Sequence, residues 1–228
     1  MDNTKQDFEN RKAEIENYFK FLLLFDKDET KLQFENGNSI VLEKIEPQFQ
    51  TILIANAFLI LYNLIESTIR NSIIEIYSII LNEQICYERL SENLQKIWIK
   101  QSIDKLKEGN FRPDTLRDNI YNFAQDILNK NVIELSKENM DFSGNLDAKQ
   151  IRKLATKFGF NSPSNGRNLE EIRNKRNRLA HGEQTFYDVG KDFSVNDLNM
   201  MKMEVIIFLS EVIENIENYI NEQKYLKN

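Results

Sequence analysis

The sequence has little cysteine, proline or glycine. Its 228 residues include one cysteine, Cys86, three prolines and seven glycines. A single thiol cannot form an intrachain disulfide, and one chain cannot build a thiolate zinc site from it. So few turn-forming residues disfavour a sandwich or a barrel, which needs many tight turns. Because 41% of the residues are hydrophobic, the chain can bury one substantial core, and we expect a mostly helical protein of a reducing compartment.

Long apolar runs without charge are also missing near the start of the chain. Charged residues occur throughout the first thirty positions, and the apolar run from Phe19 to Phe25 is much shorter than the roughly 20 residues of a membrane span. A longer apolar segment follows Pro47, from Phe49 to about Leu81, but Asn, Glu and Arg residues interrupt it. We therefore expect no signal peptide, no membrane anchor and a cytoplasmic location, with this segment as a buried central helix.

Hydrophobic periodicity predicts an all-α chain with one small hairpin. Residues 4–22 have the pattern of an amphipathic helix, and Asn36-Gly37 between short apolar runs predicts a two-stranded ribbon near residues 31–43. Further helices are predicted over 91–107, 113–129, 147–158, 169–180 and from Ser194 to about Tyr225. The expected organisation is a single domain over residues 1–228, in which a helix and hairpin extension (1–44) precedes a helical bundle (45–228).

Three polar residues recur on one face of the central helix. Asn63, Glu66 and Arg70 are spaced at i, i+3 and i+7, so they form a polar stripe on an apolar rod. In one interpretation, Glu66 and Arg70 form an internal ion pair that orders the core. In the other, the stripe lines a functional cleft.

Charge is distributed unevenly along the chain. The net charge of −6 disfavours nucleic-acid binding at first sight, because phosphate binding usually requires a basic surface. Between Asp147 and Arg178, however, nine basic residues stand against three acidic ones, so this segment carries +6 and the remainder −12. The distribution fits a local polyanion site, and a solvated helix face would give the same count.

The chain has one histidine, His181, at the end of the helix predicted over 169–180. Gly182 follows it, which is typical of a helix C-terminus, where the helix dipole favours a cation. Asn177 precedes it by one turn and can orient the imidazole, and Arg176 offers a forked donor for phosphate. An Arg that neutralises phosphate beside a His that moves a proton can cleave RNA without a metal. The same residues would also make an ordinary helix C-cap.

The spacing of Arg176 and His181 predicts a site shared between two copies. On an ideal helix, five residues place two side chains roughly 140° apart, which is poor geometry for joint action. We therefore expect a homodimer in which a second copy brings its own Arg and His to the same cleft. Other basic residues of the same helix, Arg173, Lys175 and Arg178, are the predicted RNA-binding side chains.

The segment around the histidine, EEIRNKRNRLAHGEQTFYDVGKDFSVNDL, resembles the C-terminal half of the HEPN domain. The mark of that domain is an Arg, a polar residue that is often Asn, and a His after a short spacer. Two upstream segments, ANAFLILYNLIESTIRNSIIEIY and GNLDAKQIRKLATKFGF, resemble the large MAE-like HEPN nucleases of bacterial toxin-antitoxin and phage-defence loci. The resemblance covers residues 45–222.

This resemblance implies a helical bundle, a homodimer with facing motif helices, and a metal-independent endoribonuclease of single-stranded RNA that needs no cofactor. It gives Arg176 and His181 the catalytic positions and Asn177 the orienting one. It also implies a cognate antitoxin or a neighbouring defence protein as a partner. Some toxin relatives are silenced through a tyrosine two residues after the histidine; Glu183 stands there in this chain, so we do not expect that control.

Two alternatives stay open. Some HEPN members bind nucleotides or partners without catalysis, so the chain can instead be an interaction module for a nucleotidyltransferase or another neighbouring protein. Metal-dependent hydrolysis is the other alternative, with carboxylates such as Asp188 and Asp192 as ligands. Loss of cleavage in a chelator would favour the metal-dependent reaction.

Overall fold

The structure is a computed structural model of the chain, and it describes residues 1–26, 30–36, 39–108, 113–136 and 144–227. Eight α-helices and one two-stranded antiparallel sheet lie within these ranges, which confirms the predicted all-α fold with a small hairpin. In chain order the elements are α1 Asp2–Phe25, β1 Lys31–Asn36, β2 Ser39–Lys44, α2 Pro47–Asn82, α3 Glu92–Glu108, α4 Pro113–Leu128, α5 Ala148–Phe158, α6 Leu169–Ala180, α7 Phe186–Gly190 and α8 Val195–Asn221.

Helix α2 is the axis on which other helices pack. It has 36 residues, and Pro47 occupies its first turn, where the missing amide hydrogen leaves no bond unmade. By length and composition alone α2 is apolar enough to cross a membrane, yet 56% of its most apolar stretch is buried inside the protein. Helices α1, α6, α7 and α8 contact it, so its apolar surface forms the centre of the core.

Helix α1 belongs to the same core. Its residues Phe8, Ile15, Phe19 and Leu22 recur at helical spacing and are buried, and α1 contacts both α2 and α8. The helix is longer at each end than the predicted residues 4–22. The N-terminal helix is therefore packed into the bundle.

Strands β1 and β2 form the hairpin that the sequence predicts near residues 31–43. Lys31 pairs with Lys44, and Phe34 pairs with Val41. Most apolar side chains of the hairpin are exposed. Of the predicted turn pair, Gly37 lies outside the described residues.

Helix α8 begins at a capping box and holds the loop that leads into α6. The Ser194 hydroxyl accepts a hydrogen bond from the Asp197 amide, and the Asp197 carboxylate accepts one from the Ser194 amide. Further along α8, the Glu204 carboxylate accepts a hydrogen bond from the Asn168 amide at 2.9 Å. The Glu211 carboxylate accepts one from the Ser164 amide at 2.9 Å. The start of α6 is thereby fixed to α8.

Some element boundaries differ from the sequence prediction. Helix α8 ends at Asn221, and Tyr225 lies in a following turn, where its carbonyl accepts a hydrogen bond from the Ser91 amide. The short helix α7 was not predicted, because five residues are too few to show a helical period. Gly109 and Ser143, which the sequence places at helix boundaries, lie outside the described residues.

Candidate functional site

The end of helix α6 fixes the backbone of His181. Gly182 has the left-handed φ of +69°, its amide donates to the Leu179 carbonyl, and the Glu183 amide donates to the Arg178 carbonyl. These two bonds form a Schellman motif, with His181 as the capping residue. The helix thus ends where the sequence predicts, and the position of the histidine backbone is set by a regular helix terminus.

The Arg176 guanidinium is held between two side chains of α2. It lies over the Tyr62 ring, 3.7 Å from the ring centre, and its Nη2 is 3.3 Å from Oε2 of Glu66. The Arg176 side chain is 18% exposed and that of Glu66 is 25% exposed, so the ion pair is largely removed from solvent. A planar cation stacked on a ring and paired with a carboxylate has one preferred orientation.

Tyr62 also joins α2 to the segment before α5. Its hydroxyl oxygen accepts a hydrogen bond from the Leu146 amide at 3.0 Å. Burial raises the pKa of the Tyr62 phenol, and the Leu146 bond and the Arg176 charge partly oppose that rise, so the hydroxyl stays neutral. The motif of the sequence does not include Tyr62; its position one turn before Glu66, on the same helix face, is the signal that could have found it.

A second set of polar contacts ties α6 to the start of α5. Arg173 forms an ion pair with Asp147, whose carboxylate also caps α5 by accepting from the Gln150 amide. One turn later, the Asn177 amide nitrogen donates to Oδ1 of Asn145 at 3.4 Å. The Asn177 Oδ1 atom is buried and has no hydrogen-bond partner among the described residues.

His181 is exposed at the helix end. Within the described part of the chain, its imidazole makes no hydrogen bond or ion pair, and none joins it to Arg176 or Asn177. The ring is therefore free to meet a substrate. One chain aligns the Arg176 guanidinium and presents the His181 imidazole, but it does not connect the two by a direct bond.

The three predicted RNA-binding residues have different surroundings. Arg173 is largely buried in its ion pair with Asp147. Lys175 is 15% exposed, lies 4.0 Å from the Asp192 carboxylate and sits over the Phe193 ring. Arg178 is exposed and donates to the neutral Gln184 side chain at 3.3 Å. Of the three, Arg178 is the one that presents its charge to solvent.

The predicted polar stripe on α2 divides between two neighbours. Glu66 bridges Arg70, at 3.2 Å, and Arg176. Asn63, by contrast, accepts a hydrogen bond from Arg11 of α1 at 2.8 Å. Glu66 thus has the intrahelical pair with Arg70 that one interpretation predicts, and it also contacts Arg176. That the stripe lines a functional cleft stays a prediction.

The carboxylates named for a metal-dependent reaction have partners other than Arg176, Asn177 and His181. The Asp188 pKa is lowered by hydrogen bonds from Thr185 and Lys191. Asp192 lies 4.0 Å from Lys175. Among the described residues, no group of three or more His, Cys, Asp or Glu side chains could hold a metal ion.

The family model described as MAE_28990/-like HEPN matches residues 1–225. The chain belongs to this HEPN family. No curated protein and no solved structure matches the chain. The HEPN family commonly includes ribonucleases, so membership supports a general RNA-related or nuclease role.

The match also places the N-terminal elements inside the HEPN family sequence. It includes α1 and the hairpin, whereas the segments that resemble HEPN nucleases begin after them. In this HEPN protein, the predicted site residues Arg176, Asn177 and His181 lie at the end of one helix, with Tyr62 and Glu66 against the arginine.

Proposed function

We propose that this HEPN protein is a metal-independent endoribonuclease of single-stranded RNA that acts as a toxin or an anti-phage effector. The observation that carries the proposal is that one helix end holds both an exposed histidine, whose backbone is fixed by a helix cap, and an arginine that α2 holds in one orientation. Both side chains belong to the last two turns of α6.

The chemistry requires a proton acceptor, a proton donor and a group that stabilises negative charge. A neutral imidazole takes the proton of the ribose 2′-hydroxyl, and the oxygen attacks the adjacent phosphorus. The guanidinium stabilises the charge that builds on the phosphoryl oxygens. An imidazolium then protonates the departing 5′-oxygen, which leaves a 2′,3′-cyclic phosphate and a 5′-hydroxyl end. DNA lacks the attacking hydroxyl and is not a substrate.

Two copies meet this requirement better than one. Acceptor and donor are two imidazoles in different protonation states, and each chain has a single histidine. A two-fold axis near the end of α6 would bring two His181 and two Arg176 side chains into one cleft. Exposed Arg178 would then contact the RNA backbone outside the bond that breaks.

Incubation of purified protein with single-stranded RNA in a chelator tests the proposal. Wild type should cut the RNA and leave cyclic phosphate ends, and His181→Ala should lower the rate by at least about a hundredfold, because general acid–base catalysis typically contributes that much. Arg176→Ala should also be strongly impaired. Arg117→Ala, which removes an exposed arginine of α4, is the matched control and should cut as wild type does.

Circular dichroism should show that the His181 variant keeps its helices, since the imidazole makes no bond within the described residues. Equal cleavage by wild type and His181→Ala would remove the histidine from the mechanism. Loss of cleavage only when the chelator is added would support the metal-dependent alternative. For the cellular role, expression of wild type should arrest growth, and expression of His181→Ala should not.

One observation favours a second candidate, a non-catalytic HEPN module that binds a nucleotidyltransferase or another neighbouring protein. The Arg176 guanidinium already has a carboxylate partner and a ring partner, and such a residue can serve the fold alone. In that case Arg176→Ala would lower stability, and the wild-type protein would leave every RNA intact. Cleavage that depends on His181 would exclude this candidate as the complete function.

A further inference from the structure

The β1–β2 hairpin has apolar side chains on both of its faces. In its register, Leu32, Phe34 and Val41 share one face, and Ile40 and Leu42 share the other. All five are exposed, with Ile40 at 64%. An isolated two-stranded hairpin is at best marginally stable in water, so exposed apolar residues on both faces point to a missing neighbour.

The hairpin also contains an unfavourable charge pair. Lys31 and Lys44 lie directly opposite each other across the two strands, and like charges in that position destabilise a hairpin. The described sheet has two strands, so the outer edge of β1 has no strand partner in the described part of the chain. A carboxylate supplied along that edge would neutralise the excess charge at Lys31.

The sequence of β1 is complementary to itself when it is reversed. The segment Lys31-Leu-Gln-Phe-Glu35 has a cation at one end, an anion at the other, and an apolar residue on each side of the central Gln33. In an antiparallel pair of two such strands centred on Gln33, Lys31 meets Glu35 of the second copy at each end. Leu32 then meets Phe34 of the second copy.

Strand β2 lacks this symmetry. Its two charged residues, Glu43 and Lys44, are both at its C-terminal end. A β2–β2 pair in which most of the strand overlaps sets them against Ser39, Ile40 or Val41, so such a pair gains no charge complementarity.

We propose that β1 is a self-association edge of this protein. Two copies pair through β1 in antiparallel register, centred on Gln33, and their hairpins form one four-stranded sheet about a two-fold axis. One face of that sheet then carries Leu32, Phe34 and Val41 from each copy side by side. The β1 edge and the end of α6 are different surfaces, so this pairing goes beyond the nuclease proposal and does not depend on it.

Charge reversal at the two ends of β1 tests the pairing. In Lys31→Glu, two carboxylates meet at each end of the β1 pair, and in Glu35→Lys, two ammonium groups meet there. Analytical ultracentrifugation should show wild type self-associating through β1 and each variant with a β1 association step at least about tenfold weaker, since two attractive contacts become repulsive. A dimer formed through the end of α6 would persist in all of these proteins, so its association step is the internal reference. An equimolar mixture of the two variants should associate as wild type does, because every lysine then meets a glutamate.

The Lys31→Glu variant separates pairing between copies from stability of the hairpin. Within one chain the change replaces the Lys31–Lys44 repulsion with an attraction. If Lys31 acted only within its own hairpin, the variant would have a more stable hairpin and unchanged association between copies. Glu43→Lys, the same charge reversal on β2, is the matched control and should not weaken association. Three results would each overturn the proposal. Wild type stays monomeric, or the single variants associate as strongly as wild type, or the mixture associates no more strongly than its two components.

Disulfide crosslinking tests the register of the β1 pair directly. In a Cys86→Ser background, Gln33→Cys should yield a disulfide-linked dimer under mild oxidation, because residues at the centre of an antiparallel pair lie within disulfide range. Leu42→Cys is the control: it is opposite Gln33 on β2. In the proposed four-stranded sheet, the two cysteines at position 42, one from each copy, would be three strands apart. That distance is about 14 Å, which is too far for a disulfide. Failure of Gln33→Cys to crosslink, or equal crosslinking by Leu42→Cys, would overturn the proposed register.

Discussion

The Tyr62 side chain joins three segments that are distant in sequence. Its ring lies under the Arg176 guanidinium, and its hydroxyl accepts the hydrogen bond of the buried Leu146 amide. The ring and the hydroxyl therefore have separate tasks. The ring positions the cation of α6, and the hydroxyl fixes the segment that leads into α5.

Replacement of Tyr62 by Phe should separate these two tasks. The ring stays in place, but the Leu146 amide loses its partner in a buried position, which costs about 1 to 3 kcal/mol. Urea unfolding should show a lower midpoint with an unchanged slope. Tyr121→Phe is the matched control, because Tyr121 is exposed, and its midpoint should equal that of wild type. Equal midpoints for both variants would show that the Leu146 bond contributes nothing.

At the scale of elements, the contact of α7 with α2 depends on the absence of a side chain. A Cβ atom added to Gly190 would overlap the carbonyl oxygen of Thr51 and lie 2.9 Å from its carbonyl carbon. Backbone atoms of α2 cannot move aside as the end of a flexible side chain can. The close approach of the two helices is therefore possible only with glycine at this position.

Gly190→Ala should lower the free energy of unfolding by about 1 to 3 kcal/mol, the usual cost of overpacking a core. Gly182→Ala is the comparison, because a Cβ there meets open space and the cost comes from the left-handed backbone alone. That cost is about 1 kcal/mol. In thermal unfolding, the midpoint temperature of Gly190→Ala should therefore be lower than that of Gly182→Ala. The opposite order would contradict the close packing of α7 on α2.

The local signals of the sequence predict elements better than they predict contacts. The bounds of α6 follow from Gly182 and the helical period, and the start of α8 follows from the Ser194–Asp197 pair. Both signals lie within a few residues of the structure that they determine. Helix α7 begins at a similar cap, where the Thr185 hydroxyl accepts from the Asp188 amide, but its five residues are too few to show a helical period. Its place in the fold is set by the contact of Gly190 with α2.

The candidate site shows the same difference between local signals and long-range contacts. The sequence identifies Arg176 and His181, which are near neighbours in the chain. It does not identify Tyr62 as the partner of Arg176, and the charge count of the basic segment does not reveal that Asp147 pairs with Arg173. Such pairings depend on how distant helices pack, which single residues and short spacings do not encode.

At the scale of the whole molecule, the proposed nuclease needs a second copy to complete its cleft. If the two copies share one site, a dimer of one wild-type and one His181→Ala chain contains a single imidazole and lacks either the acceptor or the donor. Refolding wild type with an excess of His181→Ala chains places most wild-type chains in such mixed dimers.

Wild type refolded together with excess His181→Ala should cut RNA more slowly per wild-type chain, because most wild-type chains then lack a second imidazole. Cleavage rates per wild-type chain, with and without co-refolding, give the measurement. The control is the same two proteins refolded separately and then mixed, which should keep the wild-type rate. If mixed dimers are present and the rate per wild-type chain does not fall, the site does not draw on both copies.

The ion pair between Glu66 and Arg176 spans 110 positions of the chain. Contacts of such long range require the intervening segment to be made first and its ends to be brought together at an entropic cost. A growing chain has therefore produced the carboxylate and the ring long before the arginine that they hold. Until α2 and α6 meet, that arginine is solvated like any surface side chain, so its orientation is a product of tertiary packing and not of α6 alone.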